Sequence, residues 1–222
     1  MIEPLCYGAV NQQIASRVPA GAQRILDIGC GTGTLGRELK KRRQREIIGV
    51  THSEEEAVLA SEYLDDVLVC DLNRPALDSL GLFDCIICSH VLEHLSNPSE
   101  LLIQLKQHLL PDGILLVALP NILFWKQRFE FMRGRFRYTS GGLMDSTHFR
   151  FFDWESACNL IEAAGYKLVE RAAEGSFPMP FLRRLVPRFA GRMDEMACSF
   201  LPGLFGWQFV FVAMKPEAPG HS

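Results

Sequence analysis

From residue 24 onward the chain alternates short apolar runs with helix-like polar segments. The runs are "RILDIG", "EIIGVT", "VLVCD", "FDCIICS" and "GILLVALP", the last ending at Pro120. Such runs suit strands buried on both faces, and their alternation with helices predicts a parallel sheet covered on both sides. Helix starts fall between them. Ser53 and Glu56 have the S-x-x-E spacing of a capping box, and Asn97, Pro98 and Glu100 supply a cap, a first-turn proline and an N3 acid. In "DWESACNLIEAAGY" Asp153 caps a helix that Gly165 ends, and "KLVERAA" and "WQFVFVAMK" complete the strands.

The pattern breaks after Pro120. "NILFWKQRFEFMRGRFRYTSGGLMDSTHFRFF" is aromatic and basic and reads as an insertion, residues 121–152, over the sheet edge on the acceptor side. Trp125, Phe129, Met132 and Phe136 recur in it at helical spacing, which predicts packing. Its Lys126, Arg128, Arg133, Arg135 and Arg137 admit three readings: a grip on an anionic acceptor, a membrane-surface contact, or a solvated face. A second basic and apolar segment, "FLRRLVPRFAGR", reads equally as a membrane or a dimer contact. The whole chain, 1–222, is expected to be one domain with a helical lead-in at 1–23 and a flexible Gly-Pro tail at 216–222.

Composition narrows the partners. Nearly half the residues are apolar and the formal net charge is −3, which excludes disorder and argues against nucleic acid as a partner. No basic-then-apolar leader is visible at the N-terminus, and no uncharged run reaches the 18 or more residues of a membrane span. Seven cysteines at scattered positions fit a reducing compartment, hence a cytoplasmic location. Cys85 and Cys88 lie three apart on one strand, so they point to opposite faces and read as small hydrophobes rather than a CxxC site.

"ILDIGCGTGTLG" puts Gly29, Gly31 and Gly33 between a buried strand and a helix, where glycine permits positive φ and a close approach to a ligand. The three glycines alone would also suit a dinucleotide. Asp27 separates the two, because a carboxylate repels a pyrophosphate and attracts a cationic amino-acid moiety. With "VLVCDL", "FDCIICSHVLEHL" and "LLPDGILLVALPN" at their spacings, the sequence resembles the class I S-adenosylmethionine (SAM)-dependent methyltransferases from about Tyr7 to Lys215. "RGRFRYTSGGLMDSTHFRFF" and "PGLFGWQFVFVA" further resemble a bacterial subgroup found with glycosyltransferases and surface-polysaccharide biosynthesis. The resemblance implies a Rossmann-like α/β fold with a seven-stranded, mostly parallel sheet whose last strand is antiparallel. It implies SAM as cofactor: Gly29, Cys30, Gly31 and Gly33 at the methionine portion, Asp27 at its amino end, Asp71 and Leu72 at the adenine. Tyr7, Ser89, His90 and the strand-end pair Thr51 and His52 complete the implied cofactor contacts. From the sequence alone His52 reads as a surface or cap residue.

In "IIGVTHSEEEA" the strand ends in Thr51, where the family carries an acid for the ribose hydroxyls. One hydroxyl in place of a carboxylate should weaken binding by on the order of 1–2 kcal/mol without abolishing it. Glu56 is assigned to the capping box, and the run of acids suits a helix N-terminus. "GVTxS" also resembles the strand end of the cyclopropane fatty acid synthase branch, which implies that Thr51 serves the ribose.

"SHVLEHL" places His90, Glu93 and His94 at i, i+3 and i+4, on one face if the turn is helical. With His148 these are plausible ligands for a divalent metal. They resemble the metal site of the small-RNA 3′-end 2′-O-methyltransferases, except that His90 stands where those enzymes carry Glu, and also a segment of the ubiquinone-pathway O-methyltransferases. Without a metal, His148 is the candidate general base for a hydroxyl acceptor, His94 the second choice, and Arg150 a contact for acceptor charge. The expectation is O-methylation of a sugar, glycoconjugate or related small metabolite. The alternatives are metal-assisted RNA-terminus methylation and a scaffold that has lost SAM.

Overall fold

A computed structural model of the chain describes residues 10–216, so Tyr7 and most of the predicted tail lie outside the described residues. In order, the elements are α1 (Gln12–Arg17), β1 (Arg24–Ile28), α2 (Thr34–Arg42), β2 (Glu46–Thr51), α3 (Glu54–Ala60), β3 (Asp66–Val69) and β4 (Phe83–Ser89). A single 3-10 turn, Leu92–His94, precedes α4 (Pro98–Gln107), β5 (Leu109–Pro120), α5 (Trp125–Met132), α6 (Trp154–Ala163) and β6 (Lys167–Gly175). Then come α7 (Pro180–Leu185), α8 (Pro187–Phe200), α9 (Pro202–Phe205) and β7 (Gly206–Met214). One seven-stranded sheet has the order β3-β2-β1-β4-β5-β7-β6. Pairing is parallel from β3 through β5, and β7 runs antiparallel to both its neighbours. The expected fold is therefore the observed one.

The continuous apolar runs became strands because helices cover both faces. Along β4, Ile86 and Cys88 enter one core cluster while Cys85 and Ile87 enter the other, the period-2 alternation that excluded a CxxC pair. Each fully buried Ile or Leu in these layers contributes roughly 1.5–3 kcal/mol. The chain order reverses between β1 and β4, opening a crevice at the carboxyl ends of the central strands, where ligands bind in such sheets.

Three local expectations need correction. Asn97 stands at the N-cap of α4 but its amide donates to the Glu100 carboxylate at 3.2 Å and caps no backbone N–H. The insertion is not over an edge: the backbone N–H groups of Phe149 and Arg150 donate to the Glu93 carbonyl (2.9 and 3.0 Å), tying it to the turn after β4, a central strand. The predicted apolar stripe packs only in part: Phe129 and Met132 of α5 are exposed, whereas Phe136, beyond the helix, stacks on Phe131 at 5.4 Å between centroids and meets Tyr138 and Phe151 edge to face. Only Trp125 is anchored, donating from Nε1 to the Ser176 carbonyl at 2.7 Å. Asp153 caps α6 as expected, with Ser156 closing the capping box. No helix among the described residues is long and apolar enough to cross a membrane.

Candidate cofactor and acceptor site

The loop after β1 is shaped by its glycines. Gly29, Gly31 and Gly33 have φ of 72°, 51° and 75°, a region costing other L-residues roughly 1–2 kcal/mol. The N–H groups of Gly29 and Cys30 both donate to the Val50 carbonyl (2.8 and 3.0 Å), fastening the loop to β2. A Cβ on Gly29 would overlap the Val91 side chain, and one on Gly33 would press on the Ala60 backbone at 3.1 Å. At Gly31 it would meet nothing within 4 Å. Packing demands the first and third glycines; the middle one faces open space of the kind a ligand needs.

Asp27, on β1 beneath this loop, is 3% exposed. Burial raises its carboxyl to about 7, and among the described residues no opposite charge or hydrogen bond offsets that. Cys30 is buried, its thiol pushed far up by burial first and then by Asp27 and Glu56, so it is no nucleophile.

At the end of β2 the structure revises the expected capping box. Ser53 Oγ does accept the Glu56 N–H at 3.2 Å, but the Ser53 N–H turns to Thr51 Oγ1 at 3.3 Å instead of the Glu56 carboxylate. Glu56 is thereby free to fold back, and its Oε2 accepts from Thr51 Oγ1 at 2.6 Å. Thr51 is buried and its hydroxyl already committed, whereas Glu56, partly exposed, brings a carboxylate to the strand end. His52 is exposed there. After β3, Asp71 holds a turn by accepting from the Asn73 backbone at 2.8 Å; Leu72 is buried in the core.

Beyond β4, Ser89 Oγ accepts from Asn11 at 3.3 Å. His90 has φ of 56°, the one positive value outside glycine among the described residues. Both its ring nitrogens are engaged, Nε2 with Gln208 Oε1 at 2.8 Å and Nδ1 with Glu93 Oε1 at 3.3 Å. Burial opposes its charge, but the Glu93 bond and charge, with Gln208, raise its pKa overall. His90 therefore leaves the expected four-member metal set. The remaining three converge: ligand atoms of Glu93, His94 and His148 lie within 4.8 Å of one another, and the two imidazoles meet edge to face at 4.8 Å between centroids.

Glu93 is 1% exposed and its Oε2 has no partner; His148 Nδ1 is likewise buried and unpartnered. Burial lowers the His148 pKa, Glu93 and Asp145 pulling it back and His94 adding to the fall, so the ring is neutral at neutral pH. Asp145 takes the Thr147 hydroxyl at 2.7 Å, and that hydroxyl and the Thr147 carbonyl face His94 Nδ1 at 3.1 and 3.3 Å. Arg150 directs Nε and Nη2 to the Ser96 carbonyl (3.2 and 2.7 Å), which makes it a clamp for the insertion. Glu56 was visible in the sequence but assigned to the cap. Asp145 and Thr147 were missed, although "DST" before His148 carries the Asp signature of a local turn.

A glycine loop, a buried acid and a strand-end carboxylate gather at the switch point of a doubly wound α/β sheet, where ligands bind in such folds. The comparisons agree. A family model described as a methyltransferase domain matches residues 9–171. The chain belongs to that family. It is 30% identical over 112 residues to the "Ubiquinone biosynthesis O-methyltransferase" of Roseobacter denitrificans, the match covering 48% of this chain and 45% of that protein. The chain thus spans about half the length of the curated relatives it matches. A SAM-dependent methyltransferase from Archaeoglobus fulgidus superposes with a TM-score of 0.61 at 24% identity, over 88% of this chain and 87% of its own. The [4+2]-cyclase SpnF gives 0.62 at 20% identity, over 93% and 80%. These likenesses establish the fold, and the cyclase among them shows that the fold alone does not choose the reaction.

Proposed function

We propose that the chain transfers the methyl group of SAM to a hydroxyl of a sugar, glycoconjugate or related small metabolite. The observation that carries the reading is Asp27: a buried carboxyl without a counter-charge among the described residues, beneath a glycine loop whose middle member faces open space. A SAM ammonium would supply that charge, and Glu56 beside Thr51 would take the ribose hydroxyls. When bound, the cofactor supplies an already activated sulfonium methyl. The chain's own work is to hold the acceptor oxygen in line and remove its proton, and alignment alone can account for much of the rate.

The proton leaves at the cluster of Glu93, His94 and His148. His148 is the base there: its buried Nδ1 has no partner among the described residues, and burial holds its pKa below the ordinary imidazole value. The O-methyltransferase relatives support oxygen as the acceptor atom. For an anionic acceptor the insertion offers less than its composition suggests. Arg133 and Arg135 pair with Glu130 and Arg128 is spent on carbonyls, leaving Lys126 and Arg137 without an ion pair among the described residues.

The test begins with calorimetric titration of the chain with S-adenosylhomocysteine, the product form of the cofactor. Micromolar binding licenses an acceptor screen with labelled SAM, beginning with nucleotide sugars. No binding up to millimolar ligand sinks the reading and leaves a scaffold with the fold of an enzyme.

A further inference from the structure

The connection between β6 and β7 carries a helix with one side docked and the other open. We propose that two copies of the chain associate through α8, paired antiparallel about a two-fold axis.

The inner side of α8 is fixed to its own chain. Ala190, Ala197 and Cys198 are buried, and Asp194 accepts from the Phe177 backbone N–H at 2.7 Å and pairs with Arg183 at 2.6 Å, tying the helix to the segment before it. The outer side is apolar. Phe189, Met193, Met196 and Phe200 succeed one another at spacings of four, three and four, the seam that a helix presents to another helix. Phe189 is 49%, Met196 45% and Phe200 78% exposed, and Met193 is partly exposed, so this seam is uncovered.

The pattern reads the same in both directions. Turning a second copy end for end lays Phe189 against Phe200 and Met193 against Met196, and the two-fold axis repeats both layers, so a single patch is its own complement. The charges agree with that pairing. Arg192 and Glu195 are exposed along one edge of the seam, and neither has an ion pair among the described residues. In the antiparallel register Arg192 lies about two residues, or roughly 3 Å of helix rise, from Glu195 of the second copy, within reach of an arginine, and symmetry makes the contact twice.

A lipid surface fits this edge less well. Anionic headgroups would attract Arg188 and Arg192 but repel Glu195, whereas a second copy uses both signs. The helix has 14 residues and is about 21 Å long. A seam of that length buries less than the roughly 800 Å² per partner of a standard interface, so the dimer should be weak, with a dissociation constant on the order of 10 µM.

The experiment is sedimentation equilibrium of the full chain from about tenfold below that constant to about tenfold above it. It needs neither cofactor nor acceptor, so its outcome is independent of the methyltransferase reading. A monomer–dimer equilibrium is expected. Phe189→Ser with Phe200→Ser should weaken it tenfold or more, and because both side chains are exposed the fold should persist, which circular dichroism checks. Arg192→Glu and Glu195→Arg should each weaken self-association about tenfold by setting like charges together twice, and an equimolar mixture of the two variants should recover a dimer of nearly wild-type strength. A chain that stays monomeric throughout overturns the proposal, as does a dimer that the serine variant leaves unchanged. Failure of the mixture to recover overturns the antiparallel pairing. Flotation with phosphatidylglycerol vesicles tests the other occupant: binding that the serine variant loses, by a chain monomeric in solution, gives the face to a bilayer and overturns the dimer.

Discussion

The two sides of the crevice are built by different means. The cofactor side is a matter of backbone: glycines at positive φ, N–H groups fastened to β2, and a buried acid, all on the consecutive segments from β1 to α3. The acceptor side is a matter of side chains, with Glu93 and His94 on a 3-10 turn meeting His148 from an irregular insertion. A backbone site needs few residues and fixes them tightly, whereas a side-chain site tolerates many sequences that bring the same atoms together.

Gly29→Ala should break both sides at once. The new methyl group overlaps Val91, which leads directly into the turn bearing Glu93 and His94. Left-handed strain of roughly 1–2 kcal/mol adds to overpacking of about 1–3 kcal/mol. At about 2–4 °C per kcal/mol for a chain of this size, the melting temperature should fall by about 4–20 °C. Gly31→Ala, with no neighbour within 4 Å, should carry the strain alone and melt within a few degrees of wild type while losing cofactor affinity. Equal destabilisation in calorimetric melts would contradict the division of labour between these glycines.

Asp27→Asn should separate the sides. Loss of a charge-assisted contact to the cofactor's ammonium is expected to weaken S-adenosylhomocysteine by about 10- to 100-fold, from the roughly 1.5–3 kcal/mol of hydrogen bonds to charged groups. Stability should move the other way. The Asp27 carboxyl binds its proton more tightly in the folded chain, to about 7 against an ordinary 3.8, so its contribution to stability falls as pH rises between those values. The variant should melt higher than wild type at pH 8 and nearly level with it at pH 4. A variant that binds like wild type removes Asp27 from the site.

The same group makes cofactor affinity depend on pH. The ammonium needs the carboxylate form, which is scarce below pH 7 in the free chain, so binding there releases a proton. Affinity should rise about tenfold from pH 6 to pH 8 and level off above, one site titrating near 7. Titrations of Asp27→Asn should be flat over that range. A slope persisting in the variant would move the dependence to another group.

Legibility in the sequence follows the same division. The strands were readable because their apolar runs are long enough to exclude alternation, and Gly29, Gly31 and Gly33 because glycine adopts their positive φ without the cost other residues carry. The cluster was half readable: spacing could group Glu93 with His94, but excluding His90 required Gln208, on β7 at the far end of the chain. The exposure of Phe129 and Met132 was not readable, because helical spacing marks a stripe without saying whether anything covers it. Arg150 looked free for a ligand only because Ser96, its carbonyl partner, is brought there by the fold.

The smallest effect tests the one place where the cofactor side also relies on a side chain. Glu56→Gln keeps the length and the ability to accept from Thr51, and Ser53 caps the backbone N–H of residue 56 whatever its side chain, so α3 and the melting temperature should not change. What is lost is the negative charge offered to two ribose hydroxyls, and S-adenosylhomocysteine should bind about three- to tenfold more weakly, on the scale of about 1 kcal/mol per hydrogen bond. Thr51→Asp in the Glu56→Gln background returns a carboxylate to the strand end and should restore affinity. Wild-type affinity in Glu56→Gln alone would mean that the ribose rests on Thr51 without help. Failure of the double variant to recover would mean that the folded-back position of Glu56, and not a carboxylate at the strand end as such, is what the ribose reads.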